Sequence, residues 1–528
     1  MLRIARSLVV LWPTPLCVRS SSASDRFPRR TYASRFSTLP EEGSEVERMQ
    51  TDYNQTIQAC NEHALLADLI DPRAVFVNNE VKLERIQTYG FDYDYTLATY
   101  TPALDEFIFN EARDWMVRQM KYPDDLMGFC FKPNFLIRGL HYDVIRGYIM
   151  KVDAFHYIQM DTVHRGFTQI SQNDVLEAYP GTYIPSQSLR PLAVRGFSLP
   201  VNISSRYPIL VQLMDFFMLP EFYLLCCIIE FFDRRHISYK PLHVYQDVTN
   251  SISRVHKSGL LGLTIMGNPE KYIRRDPDLS FFLNKLAASG KKLFVISNSS
   301  AAFIDRGLRF LIGDNWRDLF DVTISRANKP DFFTLESSQF RHMDERGKFK
   351  SWGGVKSLHK GHIYEGGSLT ELMALTGWNA QNILYFGDHV YSDLADVANT
   401  QGWTTAAVIP ELEHEINVIS TAKFSYDTER RLAIERLIDV YQHVKSPEAK
   451  TILDEWRKER NQLRYDTKVP FNEHFGSIFR SIHNPSYFNR RLSQYAVLYT
   501  SRVANLLRYP IDHIFYPKRR DLPHETVH

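Results

Sequence analysis

Between residues 86 and 415 the sequence uses one device again and again: a short apolar run that stops abruptly in a polar cluster. IQTYGF runs into DYDYT, KKLFVI into SNSS, LFDVTI into SRANKP, NILYF into GDHVYSD, and WTTAAVI into PELE. Each run has strand length, and most are rich in β-branched or aromatic residues. Helical patterns separate many of them. One is PDLSFFLNKLAASG (277–290), which closes on a glycine where a helix C-terminus wants one. Strands alternating with helices specify an α/β fold with a parallel, doubly wound sheet. Such sheets bind ligands beyond the carboxyl ends of their strands, which is where the polar clusters fall.

The pattern is interrupted once. About 200 residues separate DYDYT from SNSS, and they read as a cap domain inserted after the first strand. They contain LHYDVIRGYIMKVDAFHYI (140–158), a hairpin-like pattern, and ILVQLMDFFMLPEFYLLCCIIEFF (209–232), which reads as two short buried helices meeting at Pro220. The chain is long enough for two or three domains. The expected division is a leader over 1–40, a helical segment over 41–85, a core over 86–120 and 265–415, a cap over 121–264, and a helical extension over 416–528. In that extension Ser446 and Pro447 mark a helix start, and PSYFNRRLSQYAVLYTSRVANLL (485–507) reads as an amphipathic helix. These helices would brace the core or form a subunit contact, which leaves a homo-oligomer open.

Composition narrows the function. Net charge is +2 and no long basic run occurs, which argues against a nucleic-acid surface. Asp215, Pro220, Glu221 and Glu230 interrupt the most apolar stretch, so no membrane span is expected. The five cysteines (Cys17, Cys60, Cys130, Cys226, Cys227) have neither metal-site spacing nor an even disulfide framework. Residues 1–40 hold seven arginines, no lysine, one acid (Asp25) and a serine cluster. That composition fits a mitochondrial transit peptide. A plain tail at a cytoplasmic protein's N-terminus and a secretory signal are the rival readings. Pro13 and Pro15 break the signal's apolar run, and secretion would leave a glycosylation sequon at Asn298.

Asp92 and Asp94 lie two positions apart, so on a strand they share a face. Two facing carboxylates invite a divalent cation and push each other's proton affinities apart. An EF-hand loop is excluded, since its sixth and twelfth positions hold Leu97 and Ala103. No GxxxxGK[ST] phosphate loop occurs. Taken singly, each motif has an ordinary explanation: a solvated turn, a surface lysine, a strand-end hydroxyl. The ordered set does not. Asp92-Tyr-Asp94-Tyr-Thr96, Ser297-Asn298, Lys329-Pro330 and Gly387-Asp388 through Asp393 follow apolar runs in that order.

This constellation resembles the haloacid-dehalogenase-like phosphohydrolases, and within them the 5′-nucleotidase family of the cytosolic purine type. The matching residues read FDYDYTLA, ISNSS, ANKP and GDHVYSD, with VIPELEHEI and FGSIFRS further on. Within the family the likeness is nearest to the 5′-nucleotidase domain-containing proteins, through IRGLHYD, DAFHYIQ, YFGDHVYSDLAD and FYP. The resemblance spans roughly residues 60–518. It implies a Rossmann-like core and hydrolysis of nucleoside 5′-monophosphates with Mg²⁺. Asp92 would be the nucleophile that forms an aspartyl-phosphate, and Asp94 the acid and base. Asp92, the Asp94 carbonyl and Asp388 would ligate the metal, with Asp393 behind them. Lys329 would offset charge, and Thr96, Ser297 and Asn298 would meet the phosphoryl group.

The cap departs from the pattern. The purine-specific member carries arginine, aspartate and lysine along the stretch matching residues 246–263. This chain has Thr249, Ser253 and Gly262 there, and only His256 matches. His256 has two readings, a base contact or a hydrogen-bonded structural histidine. Replacing an arginine by threonine removes a bidentate donor. Two function classes therefore stand: a phosphomonoesterase with altered base contacts, and a binding or regulatory protein that keeps the fold with little activity.

Overall fold

All five apolar runs form strands of one sheet. The computed structural model describes residues 44–63, 70–189, 208–335, 338–344, 348–350 and 353–519, so the leader expected over 1–40 lies outside the described residues. The chain divides into two units, one of residues 1–69, 420–460 and 519–528, the other of 70–419 and 461–518.

The larger unit holds a nine-stranded sheet. In chain order its strands are β1 (Phe76–Val77), β2 (Thr88–Phe91), β3 (Lys292–Ile296), β4 (Val322–Ser325), β5 (Phe340–His342), β6 (Ile363–Gly366), β7 (Ile383–Gly387), β8 (Thr404–Val408) and β9 (Leu498–Thr500). In space they run β1-β9-β8-β7-β2-β3-β4-β6-β5. Only the two edge strands are antiparallel to their neighbours. From β2 the chain builds outward through β3, β4 and β6, then returns to β2's other side with β7 and builds outward through β8. The reversal at β2 is the switch point where such sheets open a crevice. Register sharpens it. Phe91 sits opposite both Val295 and Phe386, so the residues beyond those strand ends emerge side by side.

The central strands are buried on both faces, which is why they lack the alternation of a half-exposed sheet. Phe91 stacks on Phe386 at 5.4 Å. A side chain at Gly90 would collide with the Phe294 ring, its Cβ only 2.1 Å away. Truncating a ring such as Phe91 costs about 3–5 kcal/mol.

The insertion after β2 starts with helix α1 (Pro102–Met120) and then forms a separate five-stranded antiparallel sheet. The expected hairpin is its centre, with Leu140–Asp143 paired to Tyr148–Lys151. Residues 209–232 differ from expectation. Leu210–Gln212 is a strand, and a single helix, α2 (Met218–Arg234), follows it. Pro220 falls in the first turn of α2, where a backbone N–H has no helical partner to lose. Helix α3 (Pro241–Lys257) then packs beside α1 and α2. Cys226 and Cys227 are buried as free thiols in α2.

The C-terminal part is not wholly helical. The stretch 485–507 holds a helix at Tyr487–Tyr495, then β9, then a 3-10 turn. Leu498-Tyr-Thr500 is a strand because β8 offers it a parallel edge, with Ala406 opposite Leu498. Asn505 fixes the exit by donating to the Thr500 and Ser501 hydroxyls at 2.9 Å each. The segment 41–85 likewise mixes a helix (Glu45–His63) with the short strands Phe76–Val77 and Val81–Lys82.

The described residues of the smaller unit are mainly helical. Tyr53 of Glu45–His63 stacks on Trp456 at 5.8 Å and donates to Glu459 at 2.7 Å, and Tyr441 donates to Asp52 at 2.7 Å. Ser446 accepts from the Ala449 N–H at 3.2 Å, as its place before Pro447 predicts. No helix among the described residues is long and apolar enough to cross a membrane.

Candidate active site

Asp92 is the first residue past β2, and its N–H still donates to the Phe386 carbonyl at 2.8 Å. That bond holds the carboxyl-bearing residue against the end of β7. Lys329 supplies the counter-charge. Its Nζ lies 2.7 Å from Asp92 Oδ1 and 2.6 Å from Asp393 Oδ1. Asn298 positions this lysine: its Oδ1 accepts the Lys329 N–H at 2.6 Å and its Nδ2 donates to the Lys329 carbonyl at 3.1 Å. Two loops, after β3 and after β4, are thereby locked together.

Asp388 follows β7, and Asp393 comes from a π-helical turn over Val390–Ala395. Such turns recur at functional sites because they re-aim one side chain. His389 caps this turn, its Nδ1 accepting from the N–H groups of Tyr391 and Ser392 at 3.2 and 3.1 Å. Gly387 makes room for it, since a Cβ there would lie 2.2 Å from that of Asp393. As a result one carboxylate oxygen from each of Asp92, Asp388 and Asp393 lies within 4.8 Å of the others, and all three residues are buried. Hard oxygen donors so grouped suit a hard divalent cation.

Electrostatics point the same way. Burial, partly offset by Lys329, pushes the Asp92 carboxyl well above its usual range, with Asp393 and Asp94 adding to the rise. Asp388 is raised by burial and by Asp215, against the pull of Arg138. The Lys329 ammonium is opposed by burial, but Asp393 and Asp92 hold its proton well above the ordinary lysine range. Carboxylates this crowded take up protons or a cation.

Asp94 stands apart. Tyr100 donates to Asp94 Oδ1 at 2.6 Å, and Ser299 donates to Oδ2 at 2.8 Å. Its carboxyl is still raised, because burial outweighs those two bonds. Ser297 is buried with its Oγ 3.4 Å from Asp94, while also accepting the Ser299 N–H at 3.0 Å. The Thr96 hydroxyl is buried and has no hydrogen-bond partner among the described residues. On α3, Thr249 donates to Glu221 at 2.6 Å, and the His256 ring meets the edge of Phe217 at 5.2 Å.

Sequence reasoning missed Arg138. Its side chain is fully buried, binds both Glu411 oxygens at 2.7 Å, and donates to the Asp388 carbonyl at 3.0 Å. Arg138 lies in IRGLHYD and Glu411 in VIPELEHEI, two stretches noted for their likeness but given no role. Tyr100, Ser299 and Asp215 were missed as well. Ser299 sat inside a quoted motif, Asp215 stood out only as a charge interrupting an apolar stretch, and Tyr100 was given no role.

Fold and site together define an α/β enzyme with a buried carboxylate cluster at its sheet's switch point. The family model described as the 5′ nucleotidase family matches residues 75–527, so the chain belongs to that family of phosphoric monoester hydrolases. It is 42% identical to the human 5′-nucleotidase domain-containing protein 2 over 462 residues, 87% of this chain and 86% of that protein. The rat protein of the same name is also 42% identical, with 87% and 81% covered. A 5′-nucleotidase domain-containing protein of Dictyostelium discoideum is 34% identical, with 86% and 75% covered.

Proposed function

We propose that the protein hydrolyses nucleoside 5′-monophosphates, with Asp92 as nucleophile and Mg²⁺ as the cation. The observation that carries this reading is the buried group itself: three carboxylates within 4.8 Å of one another and one lysine bridging two of them. Those donors fit a hard divalent ion, which Asp92, Asp388 and the Asp94 backbone carbonyl would hold, with Asp393 beside them. When bound, the ion neutralises the phosphomonoester dianion and polarises its oxygens.

The residues then divide the work. An Asp92 oxygen attacks phosphorus as the bond to the leaving 5′-oxygen breaks, giving an aspartyl-phosphate. Asp94, whose carboxyl burial raises above its usual range, passes a proton to that leaving oxygen. It then takes a proton from the water that attacks phosphorus, and Asp92 is released with inorganic phosphate. Lys329 spreads positive charge over Asp92 and the transferring group. Asn298 acts through Lys329, which it clamps. Thr96 and Ser297 offer buried hydroxyls to phosphoryl oxygens.

Asp92→Asn, assayed against a panel of nucleoside monophosphates with Mg²⁺, tests the assignment. Wild-type turnover that survives the substitution would refute it. A second reading, a regulatory protein with negligible turnover, draws on α3, where Thr249 is engaged with Glu221. Metal binding by the wild type without hydrolysis of any panel member would favour that reading.

A further inference from the structure

We propose that Asp215 is a specificity-determining residue, which selects against phosphomonoesters whose leaving group carries further negative charge close to phosphorus. The proposal rests on the hydrolase reading above and goes beyond it.

Asp215 lies in the turn between the strand Leu210–Gln212 and α2. Its neighbours fix where that turn sits. The Phe216 ring stacks on Tyr95 at 4.4 Å and lies 3.9 Å from the Arg138 guanidinium. The Phe217 ring meets Tyr95 at 5.0 Å and His256 at 5.2 Å. Tyr95 is joined to Asp94 in the chain, and Arg138 donates to the Asp388 carbonyl. The turn is therefore pinned between the expected leaving-group acid and one corner of the carboxylate cluster.

The charge on Asp215 is felt there. After burial, Asp215 is the largest influence raising Asp388, and it also acts on Asp94 and on Asp105, whose carboxyl is pushed up to about 7. One Asp215 oxygen accepts the Phe217 N–H at 3.0 Å. No ion pair to Asp215 occurs among the described residues, and the side chain is only half-buried. A phosphoryl dianion in this site has Lys329 and a cation to meet it. Arg138, the cation Asp215 acts on, is fully buried and already bound by both Glu411 oxygens, so it does little to offset Asp215 for a second anionic group on the leaving side. A neutral, hydroxylated leaving group can instead donate to the carboxylate's open oxygen. Like charges juxtaposed in a partly desolvated cleft discriminate strongly between ligands.

The test uses the full chain with Mg²⁺ and the variant Asp215→Asn, which keeps the acceptor for Phe217 and removes the charge. The quantities read are kcat/KM for a nucleoside 5′-monophosphate against a nucleoside 3′,5′-bisphosphate, and calorimetric affinity for inorganic phosphate against pyrophosphate. The preference for the monophosphate is expected to fall about tenfold, and pyrophosphate is expected to gain about tenfold on phosphate, as removal of one neighbouring charge predicts. Ratios unchanged within about twofold would overturn the proposal. So would equal losses on both substrates that rising Mg²⁺ restores, since Asp215 would then serve the cation. Asp215→Ala, checked by its thermal midpoint, separates charge from packing. If the wild type hydrolyses nothing yet binds phosphate, the hydrolase reading fails while the affinity ratio still decides the role of Asp215.

Discussion

The strand ends and the α3 face meet a ligand's charge in opposite ways. At the strand ends Asp92, Asp388, Asp393 and Lys329 are all buried, with Lys329 held between Asp92 and Asp393. On α3 the polar side chains of Thr249 and His256 are half-exposed, Thr249 bonded to Glu221 and His256 set against the Phe217 ring. Taking the lysine from such a cluster leaves its carboxylates buried without a cation, whereas a half-exposed hydroxyl can be exchanged for water. The first region therefore resists substitution, and the second tolerates it.

The sharpest way to break the comparison is at Asp92. Asp92→Asn is expected to lower turnover by at least about 10³-fold while leaving the thermal midpoint unchanged or raised, as activity assays and calorimetry would show. Lys329→Met comes next. It leaves Asp92 and Asp393 buried without their cation, a change worth about 3–5 kcal/mol of stability. Denaturant midpoints should recover in part with millimolar Mg²⁺, and no recovery would count against a cation in the cluster.

A smaller effect belongs to the inserted sheet. His141 is fully buried there, neither nitrogen has a partner among the described residues, and burial lowers its pKa to about 3. The folded state binds this proton less readily than the unfolded chain. The contribution of His141 to stability is therefore complete above about pH 6.5 and drains away as pH falls toward 3. Between pH 6.5 and 5 the wild type should lose about 1.5 kcal/mol that His141→Leu retains, measured by paired denaturation curves. The smallest effect is expected at Thr249. Thr249→Val removes one half-exposed hydrogen bond, worth about 1 kcal/mol, and should shift KM less than about threefold with kcat unchanged.

The same contrast explains what was legible in the sequence. Asp92, Ser297 and Asp388 could be read because each directly follows a strand, and Lys329 because it lies in the polar cluster just past β4, and strands announce themselves by local composition. Arg138 and Asp215 reach the site through tertiary packing of the insertion, and Tyr100 through a turn that folds it back onto Asp94 six residues earlier, and neither route leaves a periodic signature in the sequence. The Leu498-Tyr-Thr500 strand was hidden for a related reason. Its residues also fit a helical stripe, and only an open β8 edge decides between the two. Pro220 misled in the other direction, since its place in a first turn depends on where the helix begins.

The position of β9 has a consequence for biosynthesis. Leu498–Thr500 is sandwiched between β8 and the N-terminal β1, so a growing polypeptide cannot close this side of the sheet until almost all of it has left the ribosome. Until then β8 carries an open backbone edge, the kind that recruits strands from other molecules. A premature stop before residue 498 would make that exposure permanent. Every residue of the carboxylate cluster would still be encoded, but the product would be a chaperone client prone to aggregate.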